Sequence, residues 1–357
     1  MKSSDMKLVL ENGLEFCGKG FGADRPAVGE IVFNTSMVGY QEILSDPSYA
    51  GQIVLMTYPI MGQYGITDED YESRSAGPAG LVVRENCQTP SNFRYTKTLS
   101  EDLDDHHVPG IEGLDTRMIT RIIRDNGPMR AAIVPDGTPL EEALEMIRTT
   151  PVESNPIAKV SCSKRWFSRI QHHNYDVVLL DCGLKHSIIT ALNNHGCNVT
   201  VVPWNSTADE IMAFRPDGVL LSSGPGDPHD CQDITAVVNA LKGRVPIVGI
   251  GLGFELLALS CGLGLERLKC GIHGGCPVRK LSTGKIITVE QNCGYAIDES
   301  TLAGKGLEVT YRNVADGRIA GFDVPAWKIS AVQFYAEGGP GPEESDFFDC
   351  FIKAMED

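Results

Sequence analysis

Apolar and polar residues change rhythm twice along this chain, and the changes divide it. Lys7-Leu8-Val9-Leu10-Glu11, Asn12-Gly13 and Leu14-Glu15-Phe16 read as two strands around a tight turn. Asn-Gly there predicts a type I′ hairpin, whose two central residues both need positive φ. Further strand-like runs fall at Glu30–Phe33, Gln52–Thr57 and Gly80–Arg84. Thr116–Arg124 has helical spacing: Ile119, Ile122 and Ile123 share a face, and Asp115 or Thr116 can cap the start. Residues 1–150 therefore read as a β-rich α+β domain. Residues 151–174 show no period and read as a linker, with His172-His173 solvated within it. From residue 175 to 357 the pattern becomes β-α-β-α-β. Val177–Leu180, Val199–Val202, Gly218–Leu221 and Pro246–Ile250 are apolar strands. Between them lie helices at His186–Asn194, at Ser206 or Thr207 to Phe214, and at Ile234–Leu241, and another runs from Phe254 to about Ser260. This alternation predicts an α/β domain with a mostly parallel sheet flanked by helices, whose ligands sit at the carboxyl ends of strands.

Composition narrows the classes. Of 357 residues 42% are apolar, enough for two cores, and no window approaches an uninterrupted membrane span. The N-terminus, MKSSDMKLVLENG, has no apolar stretch of secretory type. Thirty-one basic against 47 acidic residues give a net charge of −16, which argues against nucleic acid or an anionic membrane as the main partner. The plain expectation is an acidic cytoplasmic protein. Its eleven cysteines include no C-x-x-C pair, so free thiols, mostly buried as small apolar residues, are expected rather than disulfides or zinc sites.

Two glycine-rich turns fall where strands meet helices. Gly249-Ile250-Gly251-Leu252-Gly253 is spaced G-x-G-x-G, not G-x-G-x-x-G, and it follows the fourth strand of its domain rather than the first. No G-x-x-x-x-G-K-S/T occurs. Beside a dinucleotide or phosphate loop, which that spacing and position fit poorly, the other reading is a nucleophile elbow, a strained strand-to-helix residue presented beside a helix N-terminus that stabilises an anion.

The segment PIVGIGLGFELLALSCG resembles the P-I-x-G-I-C-L-G-H-Q-L-L-A elbow of class I glutamine amidotransferases. LVLENGLEFCGKGFGA, GEIVFNTSMVGYQEILSDPSYAGQIVLMTYP, GLDTRMITRIIRDNG, LLSSGPGDP, EQNCGYAID and VQFYAEGGPGP resemble one member family, the small (glutaminase) subunit of carbamoyl-phosphate synthetase. The resemblance runs from residue 7 to 355. It implies a glutamine-hydrolysing subunit that passes ammonia to a large subunit. That partner holds the ATP sites and makes carbamoyl phosphate for pyrimidine and arginine biosynthesis. No cofactor or metal is implied on this chain. In the family a cysteine at the elbow is the nucleophile, the histidine of F-H-P-E is its base, and the glutamate two positions on orients that histidine.

This sequence departs from the family at the centre of that chemistry. Gly251 stands at the nucleophile position and Tyr335 at the base position, and only the acid, Glu337, remains. Phe254-Glu255 replaces His-Gln, Ile272–Pro277 is one residue shorter than the family loop, and Gln291-Asn292-Cys293-Gly294-Tyr295 replaces Gln-Asn-His-Gly-Phe. Ser48, Gly224, Gly226, Leu252, Asn292 and Gly294 match family glutamine-binding positions, with Glu255 and Tyr295 as altered ones. Backbone amides at Gly226 and Leu252 would form the oxyanion hole. Alternatively Gly224-Pro225-Gly226-Asp227-Pro228 is simply a tight turn, and Glu337 a partner for a structural group. Glycine supplies no nucleophile, tyrosine is a poor base at neutral pH, and a carboxylate at Glu255 should repel an amino acid's own carboxylate. The expectation is therefore a small-subunit homologue without glutaminase activity, a pseudoenzyme acting as scaffold or regulator of an ammonia-using complex. Two others stay open: a glutamine or metabolite sensor without turnover, and a glutaminase with a relocated nucleophile, Cys276 or Cys293, served by His273.

Overall fold

The computed structural model describes residues 5–74, 77–338 and 345–356; Gly339–Pro342 of the VQFYAEGGPGP segment lie outside them. The chain forms two compact units. One contains residues 1–154 with Lys269–His273, the other 155–268 with 274–357.

The first unit carries β1 (Asp5–Leu10), β2 (Glu15–Gly22), β3 (Ala27–Asn34), β4 (Gln52–Met56), β5 (Ile60–Met61), β6 (Gly80–Val82), β7 (Glu85–Asn86), β8 (Pro109–Glu112) and β9 (Met129–Pro135). In the order β1-β2-β8-β6-β4-β3-β9 seven of them close into a barrel, while β5 and β7 pair separately. The apolar run in β1 is continuous because both of its faces are covered. Met6, Leu8 and Leu10 point inward with Ile31, Ile53, Ile111 and Ile133. Val9 points outward with Ala132 and Val134, against Ala143 and Ile147 of the helix Leu140–Thr149. The Asn12-Gly13 turn differs from expectation. Gly13 alone has positive φ (+86°), and Leu10 N–H donates to Leu14 O at 2.9 Å, so the loop has three residues and ends on a left-handed glycine. That geometry needs one residue of positive φ instead of two. The helix Thr116–Asn126 is capped by Asp115, which accepts from Met118 N–H at 2.9 Å, and it buries Ile119 and Ile123.

The second unit contains β10 (Trp166–Ser168), β11 (Tyr175–Asp181), β12 (Cys197–Pro203), β13 (Gly218–Leu221), β14 (Ile247–Ile250), β15 (Leu265–Lys280), β16 (Ile286–Ile297), β17 (Glu308–Asn313), β18 (Ile319–Val324) and β19 (Ile329–Val332). They form one sheet ordered β10-β12-β11-β13-β14-β19-β18-β17-β15-β16. Pairing is parallel from β12 through β11, β13 and β14 to β19. From β19 onward β18 and β17 continue it antiparallel, an extension beyond the alternating βα pattern. The stretch expected as a linker is partly structured. Ile157–Val160 is a helical turn whose Ile157 enters the core of this unit, and β10 pairs with β12. A short run with few apolar residues carries no readable period, which is why the sequence pattern missed both. His172 and His173 are exposed. All eleven cysteines are free thiols, and five are buried, fewer than expected: Cys182, Cys197, Cys261, Cys276 and Cys293. No helix among the described residues is long and apolar enough to cross a membrane.

Candidate active site

The strand β14 delivers the chain to Gly251, and the helix Leu252–Ser260 begins at the next residue. Gly251 has φ +59° and ψ −114°, a conformation that side chains rarely adopt. Its N–H donates to Val332 O at 3.0 Å, and Gly253 N–H donates to Ser222 O at 3.2 Å. A Cβ on Gly249 would stand 2.5 Å from Gly253 O, and one on Gly253 would stand 2.3 Å from Leu221 O. Close packing of helix on sheet therefore accounts for the outer two glycines of the G-x-G-x-G spacing. The middle one occupies the turn. Leu252 is buried in the first helical turn.

Beyond β19 lies Gln333-Phe334-Tyr335-Ala336-Glu337. Phe334 is buried edge-on to Tyr311, and Tyr335 N–H donates to Glu290 O at 2.9 Å. Lys185 Nζ lies 4.1 Å from the centre of the buried Tyr335 ring and 3.0 Å from Glu337 Oε1. The Lys185 and Glu337 side chains are 3% and 0% exposed. Lys185 directly precedes the helix His186–Asn194, near the carboxyl end of β11, where the parallel sheet should place its ligands. At position 335 an aromatic face lies beneath a cation, and the acid that would orient a histidine is held in a buried ion pair.

A second cluster surrounds Glu255, in the first turn of the elbow helix. Burial pushes its carboxyl group up to about 8; the Gln333 hydrogen bond opposes the shift and the charge on Asp227 adds to it. At neutral pH the group is mostly a neutral acid, so the expected repulsive carboxylate is corrected: protonated glutamate resembles the family's amide. Gln333 Nε2 donates to Tyr295 O at 2.6 Å and to Glu255 Oε1 at 3.4 Å. The Tyr295 hydroxyl donates to Asp227. Although burial raises the Asp227 carboxyl, hydrogen bonds from Tyr295 and His229 hold it below its ordinary value. Asp227 belongs to the Gly224–Pro228 turn. There a Cβ on Gly224 would lie 2.0 Å from Cys182 O, and Gly226 has φ +106°. Asn292 is half-buried on β16, and a Cβ on Gly294 would meet nothing within 4 Å.

Two further groups complete the expected set. Ser48 lies in the first unit, in the turn Pro47–Tyr49, where its N–H donates to Asp46 Oδ1 at 2.8 Å; its buried hydroxyl has no hydrogen-bond partner among the described residues. Cys276 and Cys293 are buried, and burial with the nearby Asp316 pushes the Cys276 thiol up to about 12, far from a reactive thiolate. His273 packs in the first unit beside Phe33 and Tyr49. Neither Lys185 nor Gln333 is singled out by the sequence pattern. A lysine just after an apolar strand of a parallel sheet was the available signal for the first. Gln333, two residues before Tyr335, carried none.

Residues 8–133 match the family described as carbamoyl-phosphate synthase small chain, CPSase domain, and residues 178–354 match glutamine amidotransferase class I. The chain is 43% identical over 352 residues to the carbamoyl phosphate synthase pyrimidine-specific small chain of Halalkalibacterium halodurans, covering 98% of this chain and 97% of that protein. It is 42% identical to the protein of the same description from Bacillus subtilis, covering 98% and 96%. Identity to the carbamoyl phosphate synthase small chain of Staphylococcus epidermidis is 44%, again over 98% and 96%. The second unit thus belongs with the class I glutamine amidotransferases. The chain as a whole is a member of the carbamoyl-phosphate synthase small-chain family, and a small chain implies a large-chain partner.

Proposed function

We propose that this small chain has lost glutamine hydrolysis and serves as the scaffold or regulatory subunit of a synthetase complex that takes up free ammonia. The observation that carries this reading is the elbow itself. Gly251 holds the strained turn of a nucleophile and offers no nucleophile. Around it Tyr335 lies under Lys185, and Glu337 is paired with the same lysine, so neither a base nor a free orienting acid stands ready. Buried Cys276, its thiol held protonated, does not replace the missing group. The family glutamine-binding positions Ser48, Gly224, Gly226, Leu252, Glu255, Asn292, Gly294 and Tyr295 then serve as architecture.

The test has two arms. The purified chain should release ammonia from glutamine only at background. With the large chain present, ammonium should support carbamoyl phosphate synthesis and glutamine should not. Glutamine-dependent ammonia release that disappears in Cys276→Ser or Cys293→Ser would overturn the proposal.

A second reading, a sensor that holds glutamine or a related metabolite without turnover, is favoured by one observation. The neutral Glu255 carboxyl can stand in for the family's amide. Calorimetry separates the two: the scaffold reading expects no heat on adding glutamine, the sensor reading a saturable one.

A further inference from the structure

The helix Thr116–Asn126 keeps its outer face unspent. Arg117, Arg121 and Arg124 recur at helical spacing and are exposed, opposite the buried Ile119 and Ile123. The two acids on this segment are already engaged. Asp115 caps the helix through Met118 N–H, and Asp125 pairs with Arg124 at 3.0 Å. Arg117 and Arg121, one turn apart, have no ion pair among the described residues, on a chain with sixteen more acidic than basic side chains.

These two arginines are the common wall of two hollows. One, of about 580 Å³, is lined by Thr57, Arg117, Thr120, Arg121 and Arg124. The other, of about 490 Å³, shares Arg117 and Arg121, adds Met118 and Ile122, and is also lined by Asn126 and the two engaged acids, Asp115 and Asp125. Met118 is 45% exposed. Two unpaired guanidinium groups beside an exposed methionine combine the residue types most enriched where proteins dock. A small anion would use one hollow; the eleven-residue helix, roughly 16 Å long, offers both along with an apolar edge.

We propose that this helix face is a docking surface for an acidic face of the large chain, whose carboxylates enter the hollows and pair with Arg117 and Arg121 while Met118 is covered. The proposal rests on the reading that this chain docks on a large chain. The fit is one of charge: on an acidic protein, an isolated basic strip steers and orients a partner of opposite sign.

Affinity of the full-length chain for the large chain is measured at low and at high salt. Arg117→Glu/Arg121→Glu should weaken binding at least about tenfold, with circular dichroism and unfolding midpoint unchanged. Arg117→Lys/Arg121→Lys, which keeps the charge, should stay within about threefold, and high salt should weaken the wild type but not the reversal variant. Arg148→Glu, the same charge change on the helix Leu140–Thr149, should leave affinity unaltered. If the reversal variant misfolds, the neutral Arg117→Gln/Arg121→Gln replaces it, with a loss of at least about threefold expected. A reversal variant that binds like the wild type overturns this inference alone. A wild-type chain that does not bind the large chain overturns the subunit reading, and this inference with it.

Discussion

A Cβ at position 251 would stand 3.2 Å from that of Ser223, on a backbone at φ +59°. Gly251→Cys should therefore cost about 1–3 kcal/mol of stability, read by urea unfolding. A thiol there gains a helix N-terminus but no imidazole to take its proton and return it to the leaving ammonia. Single Gly251→Cys should turn over glutamine no faster than background, and Gly251→Cys with Tyr335→His measurably faster. Equal rates for the two variants would show that Tyr335 is not the obstacle. Because Glu255 is mostly protonated at neutral pH, adding Glu255→Gln should matter only above about pH 8. The same group governs stability. Below its ordinary value of 4.5 it is protonated folded or unfolded; between 4.5 and about 8 only the unfolded chain ionises, so stability falls across that window and then levels. Relative to wild type, Glu255→Gln should gain roughly 2–4 kcal/mol between about pH 5 and about pH 9 in urea titrations. Lys185→Met takes away the cation paired with the buried Glu337 carboxylate and should cost about 3–5 kcal/mol, less when Glu337→Gln accompanies it.

At the junction between β14 and the elbow helix, glycines differ in kind although the sequence writes them alike. Gly249→Ala or Gly253→Ala drives a methyl group into a backbone carbonyl and should cost about 3 kcal/mol, whereas Gly294→Ala meets open space and should stay within about 0.5 kcal/mol in the same urea assay. Elements of this kind were legible where period was strong. The helix His186–Asn194 and the strand β13 have the bounds that spacing gives, because their apolar residues face one core. The helix Thr116–Asn126 runs two residues past its expected end, since Asp125 and Asn126 carry no apolar signal. Barrel closure left no local trace: β6 and β8 have three and four described residues, and their partners come from distant parts of the chain. At the candidate site, replaced residues such as Gly251 and Tyr335 stood out against the family motif. What surrounds them did not. The Lys185–Glu337 pair joins residues 152 positions apart, and the protonation of Glu255 depends on burial that only the folded chain creates.

Over the whole chain, 47 acidic side chains against 31 basic place the isoelectric point near 4.9. Solubility should pass through a minimum close to that pH and recover on either side, measured by light scattering in low salt. Neutral-pH preparations carry a strong negative charge, and contacts with other proteins must form against it. Barrel closure restricts how such contacts can be made in the first unit. A sheet that meets itself has no row of idle N–H and C=O groups at a margin, so β1, β2, β8, β6, β4, β3 and β9 can neither lend an edge to a partner's strand nor template fibrillar stacking. Whatever joins this barrel must be recognised by what its helices and loops display.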